Sequence, residues 1–359
     1  MRSREMLYGT QEADLQPDTN PLMKDAMFWS ETDNGELKCE LCPRYCIIPE
    51  GKTGFCGTRF NYLGKLYAIN YGLISSMHLD PYEKKPLYHF HPGKWVLSLG
   101  TFGCNMACEH CQNSEISQRQ ITRIRGQFEY HPPEDVLAMC KENVADGVSF
   151  TYNEPTIWME YAVDCSKLIK TAGFNTSFVT NGYMTKATLN AIGPHLDAAN
   201  VDVKGFNDRT YKMISKVINP EEILARIEEM VFKWNIHVEI TTNVIPGYND
   251  SDKTFKGIAN WIVNKLGDLT PWHISRYHPA YRLNEPATPI ETLLRGREIG
   301  RNAGLKFVYL GNVADPEGDG TRCPSCGKTV VKRHLFVSGQ INVSNGRCGF
   351  CSEGLGIKT

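Results

Sequence analysis

Residues 95–113 read WVLSLGTFGCNMACEHCQN, and both fold and chemistry start from this run. Its first part, from Trp95 to Gly100, is short, apolar and closed by glycine, as a buried strand is. Its second part sets Cys104, Cys108 and Cys111 as C-x-x-x-C-x-x-C in the loop directly after that strand. Three thiolates on one short loop can hold three corners of a cubane 4Fe-4S cluster. The fourth iron then has no local cysteine and is open to an outside ligand, as chemistry requires; an electron-transfer cluster normally has four cysteines. The competing reading is a zinc site, or an electron-transfer cluster, completed by a distant fourth ligand.

Downstream the same rhythm repeats. Strand-like runs GVSFTYNEP, NTSFVTNG, AANVDVKG, HVEITTNVIPG, PWHISRYHP and the shorter KFVYLGN alternate with amphipathic stretches such as PEDVLAMCKENVADG and PTIWMEYAVDCSKLIKTAG. Strands alternating with helices make βαβ units and a parallel sheet. The expected class is α/β: a partial or complete (β/α) TIM-type barrel. A doubly wound sheet is the neighbouring possibility, weakened because no G-x-G-x-x-G follows the first strand. The runs end in Cys104, Asn153-Glu154, Thr180-Asn181, Asp202 to Lys204, Asn243 and His278. In a barrel such ends surround one mouth, where active sites lie. A single residue of this kind would be read as a turn former. A series after a cysteine triplet predicts a shared site. Trp95, Phe102 and Phe150 are expected in the barrel core. Lys84-Lys85 is expected to be a solvated turn.

The chain has 13 cysteines, 11 of them in three groups. Cys140 and Cys165 fall in helical patterns and read as buried small apolar side chains. Cys39, Cys42, Cys46 and Cys56 sit within eighteen residues, among Gly51, Gly54 and Gly57. Four thiolates so close can take zinc, iron or a second Fe–S cluster. Cys323, Cys326, Cys348 and Cys351 form two C-x-x-C knuckles, the pattern of a zinc ribbon. Four thiolates leave no open coordination position, so that zinc would be structural. The organisation expected is a loose polar leader over 1–25, a cysteine-rich N-terminal segment over 26–94, the barrel over 95–315, and a small zinc-ribbon-like module over 320–359.

Charge adds little. The 359 residues carry 39 basic and 40 acidic side chains, a net −1, and are 41% hydrophobic. No nucleic acid or anionic membrane is implied as partner. No apolar run is long enough to span a bilayer, and the first residues lack a signal peptide's apolar core. Together with clustered rather than scattered cysteines, this predicts a reducing, cytoplasmic setting.

The three-cysteine loop, with His110 before its last cysteine, resembles the radical S-adenosylmethionine (SAM) superfamily. From Trp95 to Asn312 the chain looks like activating enzymes of the pyruvate formate-lyase type. Ala26-Met27-Phe28, CELCPRYC…GFCGTR, DPYEKKPLYHFHPG, GTFGCNMACEHCQN, TYNEPT, ISRYHP and the cysteine-bearing tail recur together in AmmeMemoRadiSam system radical SAM enzymes. The resemblance implies that S-adenosylmethionine chelates the open iron, and that its one-electron cleavage yields a 5′-deoxyadenosyl radical that abstracts hydrogen from a protein, peptide or small-molecule substrate. It also implies an external reductant, flavodoxin or ferredoxin. By position it sets Glu154 on the cofactor amino group, with Tyr152-Asn153 where the family has two glycines. Asn153, Thr180, Asn181, Asp202, Lys204, Asn243 and His278 are carried over as cofactor-binding, as are His110 and Gln112 beside Cys111. Other functions consistent with the sequence are a cobalamin-dependent radical methyltransferase and, in another class, an Fe–S electron-transfer or zinc-dependent interaction protein.

Overall fold

The structure, a computed structural model, describes residues 22–119, 121, 128–217, 219–315 and 317–359. Of the expected leader, residues 1–21 lie outside the described residues. By Leu22 and Met23 the chain is buried, and Lys24–Asp25 pairs antiparallel with Lys65–Ala68.

Eight strands form the central sheet: β1 (Ser76–Pro81), β2 (Trp95–Gly100), β3 (Gly147–Phe150), β4 (Asn175–Thr180), β5 (Ala198–Asp202), β6 (His237–Val244), β7 (Trp272–Arg276) and β8 (Val308–Gly311). They lie side by side in sequence order. From β2 to β8 every pairing is parallel. A doubly wound sheet would reverse its order at a switch point; this one does not, in keeping with a partial (β/α) arrangement. A complete barrel is not what forms. β1 runs antiparallel to β2 and occupies that edge, and β8 pairs only with β7 among the described residues. Strand β1 lacks a readable alternation: Met77, His78 and Leu79 are exposed in succession, on both faces, as happens at a sheet edge.

The strands alternate, and the alternation explains why the two faces differ. One face carries Leu97, Leu99, Val148, Phe150, Phe178, Val201, Ile240, Trp272, Ile274 and Leu310, all in the main apolar core. Crossover helices including Pro133–Glu142, Met159–Thr171, Glu221–Phe232 and Ile290–Asn302 cover it. The register places Ser98, Ser149 and Ser177 in one row of the opposite face, with Asn200, Glu239, Thr241 and His273 nearby. Cys140 and Cys165 are fully buried in the helical layer, as expected.

Two local readings are corrected. Trp95 is 45% exposed, because it opens β2 at the sheet's rim, whereas Phe102 and Phe150 are buried. Lys85 is no solvated turn residue. It is 2% exposed and pairs with Asp80 at 2.8 Å, while Lys84 reaches the same carboxylate from outside.

The tail folds as the hairpin Thr329–His334 and Val337–Ile341 between the two cysteine knuckles. It docks at the far end of the sheet. Arg333 donates to the Tyr88 carbonyl (2.6 Å) and to Thr321 Oγ1 (2.6 Å), and its guanidinium lies 4.3 Å from the Tyr88 ring centre. Beneath it the buried Glu239 carboxylate accepts from Tyr88 N (3.0 Å) and His89 N (2.6 Å), and meets His237 (3.1 Å) and His273 (2.6 Å). This network joins N-terminal segment, sheet and tail. No helix among the described residues is long and apolar enough to cross a membrane.

Candidate functional site: a three-thiol loop at the strand ends

The loop after β2 is held on both sides. Gly103 takes φ +92°, a conformation glycine adopts without strain. A Cβ there would stand 2.4 Å from the Cys56 carbonyl oxygen, so the close approach also requires glycine. Further along, Ala107 N and Glu109 N donate to Ser215 O and Ile214 O, and the Glu109 carbonyl accepts from Arg282 N and Leu283 N. The thiols of Cys104, Cys108 and Cys111 are thereby presented half-buried. Serine hydroxyls lie beside two of them: Ser215 3.4 Å from Cys108 Sγ and Ser117 3.1 Å from Cys111 Sγ. Met106 N donates to Cys104 Sγ at 3.3 Å. Burial pushes the Cys104 and Cys108 thiols up, and the Lys204 charge pulls that of Cys108 back. Such thiols give up their protons to a metal rather than to water.

Three successive strand ends converge on this loop. After β3, Glu154 is fully buried. Its Oε1 accepts from Thr156 N (2.9 Å), Thr156 Oγ1 (2.6 Å) and Thr180 Oγ1 (2.7 Å), and its Oε2 accepts from Asn181 N (2.8 Å). Burial raises its pKa and these donors oppose the rise. After β4, Asn181 Nδ2 donates to Asn105 Oδ1 (2.8 Å) and lies 3.9 Å from Cys104 Sγ. After β5, Lys204 pairs with Asp202 at 2.7 Å, and its charge is felt at Cys108 and His110. His110 is buried, its Nδ1 has no partner, and burial pushes its pKa down to about 3, so the imidazole is neutral.

Tyr152 and Asn153, where the resemblance implies two glycines, have defined places. Tyr152 takes φ 71°, a left-handed conformation that costs a side-chain-bearing residue about 1–3 kcal/mol. Its hydroxyl donates to Asp80 (2.8 Å) and the Lys85 ammonium lies 4.6 Å from its ring centre. Asn153 accepts from Thr101 N (3.2 Å) and donates to Gly103 O (2.7 Å), clamping the end of β3 to the cysteine loop.

Two predicted residues are not drawn into this network, and a third joins it only through a neighbour. Asn243, next to last in β6, has its carbonyl bound by Asn249 Nδ2 (2.9 Å), which also donates to the Lys204 carbonyl (2.9 Å). Gln112 and His278 are exposed. Asn105 was missed. A polar residue just after a cysteine gives no signal of burial, yet Asn105 is fully buried and bridges Asn181 to the Tyr183 carbonyl (2.7 Å). Ser117, Ser215 and Thr156 were missed for the same reason: hydroxyl residues are common, and only the fold shows which ones meet thiols or a carboxylate.

The other cysteine groups separate clearly. In the tail, the sulfurs of Cys323, Cys326, Cys348 and Cys351 all lie within 4.8 Å of one another, with Cys323 3.6 Å from Cys351 and Cys326 3.8 Å from Cys348. A tetrahedral zinc at about 2.3 Å from each sulfur sets them about 3.8 Å apart. Cys39, Cys42, Cys46 and Cys56 line one concavity in the N-terminal segment, together with Arg44, Arg59 and Asn105.

The chain resembles several known proteins. Residues 99–261 match the radical SAM superfamily model. An uncharacterised protein of Methanocaldococcus jannaschii is 39% identical over 338 residues, covering 93% of this chain and 99% of its own. The pyruvate formate-lyase-activating enzyme of Clostridium pasteurianum is 25% identical over 194 residues, covering 51% of this chain and 77% of its own. A radical SAM methyltransferase structure from Sphaerobacter thermophilus superposes with TM-score 0.48 at 17% identity, over 85% of this chain and 81% of that one. A family match that opens on the cysteine loop and runs through the strand ends beside it, with activating enzymes among the relatives, identifies the chain as a member of the radical SAM superfamily that resembles the pyruvate formate-lyase activating enzymes.

Proposed function

We propose that this protein cleaves S-adenosylmethionine reductively at a 4Fe-4S cluster on Cys104, Cys108 and Cys111 and abstracts hydrogen from a protein or peptide substrate. One observation carries the proposal: Glu154, Asn181 and Lys204, from three successive strand ends, converge on a loop of three thiols. The donor set fits a cluster with one open iron, since the loop offers three sulfurs and the polar groups beside it suit an amino acid moiety rather than a fourth ligand. When bound, the cluster supplies the single electron for cleavage of the sulfonium C–S bond. The chain's residues do the positioning. Glu154 and Asn181 would hold the ammonium of the cofactor, Lys204 with Asp202 sets the charge beside Cys108, and His110, within the loop between Cys108 and Cys111, is buried and neutral. Thr180 orients Glu154.

The opposite side of the reaction falls on the sheet's polar face. Ser149, Ser177 and Thr241 are buried there with hydroxyls that have no protein partner. Buried polar groups are normally paired, so this face favours a substrate that brings hydrogen-bonding groups of its own. Activating-enzyme relatives favour a protein substrate and a reductant such as flavodoxin or ferredoxin. The tail cysteines are assigned a structural zinc on the strength of their spacing. All thirteen cysteines are unpaired, which supports a reducing, cytoplasmic setting.

The test is anaerobic reconstitution followed by dithionite and S-adenosylmethionine. 5′-Deoxyadenosine is expected from the parent protein and not from Cys104→Ala, Cys108→Ala or Cys111→Ala. Full production by any of these variants overturns the assignment.

A further inference from the structure

We infer that Cys39, Cys42, Cys46 and Cys56 hold a second Fe–S cluster, and that this cluster is the entry point through which single electrons reach the catalytic loop. The inference rests on the proposed function for the destination of the electrons, and on this chain's own cysteines for the rest.

The first ground is spacing. One metal ion draws its four sulfurs together, because all of them bind the same atom. The tail shows that arrangement, with four sulfurs inside 4.8 Å. Among the described residues no three of the N-terminal sulfurs are drawn that close, and the same is true of Cys104, Cys108 and Cys111. In a cubane each thiolate binds a different iron, so its sulfurs stand apart by the width of the cluster. The N-terminal four nevertheless face a common concavity, which apolar Leu41, Ile48 and Ile157 help to line. They therefore follow the cluster-binding loop and not the mononuclear site. Four protein thiolates leave no iron open, so the group relays electrons and does not take up S-adenosylmethionine.

The second ground is position. The Cys56 carbonyl lies against Gly103, whose neighbour is Cys104. Thr58 Oγ1 is 3.2 Å from Cys56 Sγ, and its methyl group also abuts Gly103. On the other side of Cys104, Asn105 lines the N-terminal concavity, and its carbonyl accepts a hydrogen bond from Arg44 Nε. The two residues flanking Cys104 are thus both in contact with the N-terminal group. Structural metal would not need this adjacency.

The third ground is access. Cys46 and Cys56 are half-buried, and Tyr45, Ile47 and Phe55 beside them are nearly half exposed. An apolar rim around a partly exposed cluster is where a small electron-carrier protein can make contact. Arg59 sits fully buried at the concavity and is bound bidentately by Glu160 (2.6 and 2.8 Å), which fixes its guanidinium beside the four cysteines as one half of an ion pair. The transfer balances without bond changes. One electron from a reduced low-potential donor lowers the N-terminal cluster by one charge; passing it on reoxidises that cluster and reduces the catalytic one.

The full chain, reconstituted anaerobically with iron and sulfide, tests the inference. About eight irons and about one zinc per chain are expected. The triple variant Cys104→Ala/Cys108→Ala/Cys111→Ala should keep about four irons and show a reduced-cluster EPR signal with dithionite. Cys42→Ala should lose that iron and retain the S-adenosylmethionine-induced EPR change at the central loop. Its reduction by ferredoxin should slow at least tenfold, while reduction by dithionite stays near the parent rate. Cys56→Ser, at a half-exposed position, repeats the measurement should Cys42→Ala fold poorly by circular dichroism. Zinc without iron in the triple variant overturns the metal assignment. Unchanged ferredoxin kinetics in the variants overturn the relay. A parent protein with N-terminal iron but no response to S-adenosylmethionine defeats the proposed function while the metal assignment stands.

Discussion

Replacing Glu154 by glutamine keeps shape and volume and removes only a charge and one acceptor. In the parent, Oε1 takes three donors and Oε2 takes Asn181 N–H. The glutamine oxygen can keep the three-donor side. Its NH₂ then faces Asn181 N–H, two donors with nothing between them. A buried N–H left without an acceptor costs about 1–3 kcal/mol. The alternative rotamer is worse, because the NH₂ would face three donors. A charge-assisted hydrogen bond to the cofactor ammonium, about 1.5–3 kcal/mol, is lost as well. The expected result is an ordered protein with a lower melting midpoint, iron near the parent content, and S-adenosylmethionine affinity reduced about ten- to a hundredfold. Isothermal titration of the reconstituted protein reads the affinity, and metal analysis reads the iron. Parent-like affinity in a folded Glu154→Gln protein would refute the placement of this carboxylate at the cofactor. Loss of iron with the affinity would show that Glu154 supports the loop instead.

Gly103→Ala should be damaging well beyond its size. It must take φ +92° and push against the Cys56 carbonyl, so at least about 1–2 kcal/mol of strain is expected, with poor iron loading measured by metal analysis; parent-like loading would show that the two segments separate freely. Cys348→Ser leaves the tail three sulfurs: zinc should be lost and the segment beyond residue 320 should become protease-sensitive, while deoxyadenosine production persists. A tail that stays equally protected after chelation would count against the zinc. Stability should also fall in mild acid. Burial, helped by Arg333, His237 and His273 and opposed by the Glu239 carboxylate, holds His89 down to about 3, against 6.5 in the unfolded chain. The unfolded chain therefore binds the extra proton, and stability is lost as pH drops from about 6.5 toward 3. Urea titrations between about pH 7 and pH 5, above the usual carboxylate range, read the loss that His89 shares with buried His110; an identical midpoint across that window would contradict it.

Much of this protein is written locally. The three cysteines after β2, the seven parallel strands and the two knuckles of the tail all follow from short-range pattern, because period, spacing and residue type are properties of neighbours in the chain. The same holds for Glu154, Thr180, Asn181 and Lys204, which stand at predicted strand ends. Pairing across long separations is different. That SMHLDP becomes an edge strand, that Lys85 is buried against Asp80, and that Trp95 faces solvent depends on what each meets in space. Asn105, Ser117 and Ser215 become site residues only when folding brings Asn181 and two thiols to them. The contact of Cys56 with Gly103 joins segments 47 positions apart, and no property of either segment announces it. Local sequence thus determines the elements and the reactive groups they carry. Tertiary packing alone decides which of three cysteine groups gathers its sulfurs closely enough for a single ion and which lies beside the three-thiol loop, because sulfur-to-sulfur distance belongs to the fold and not to the spacing along the chain.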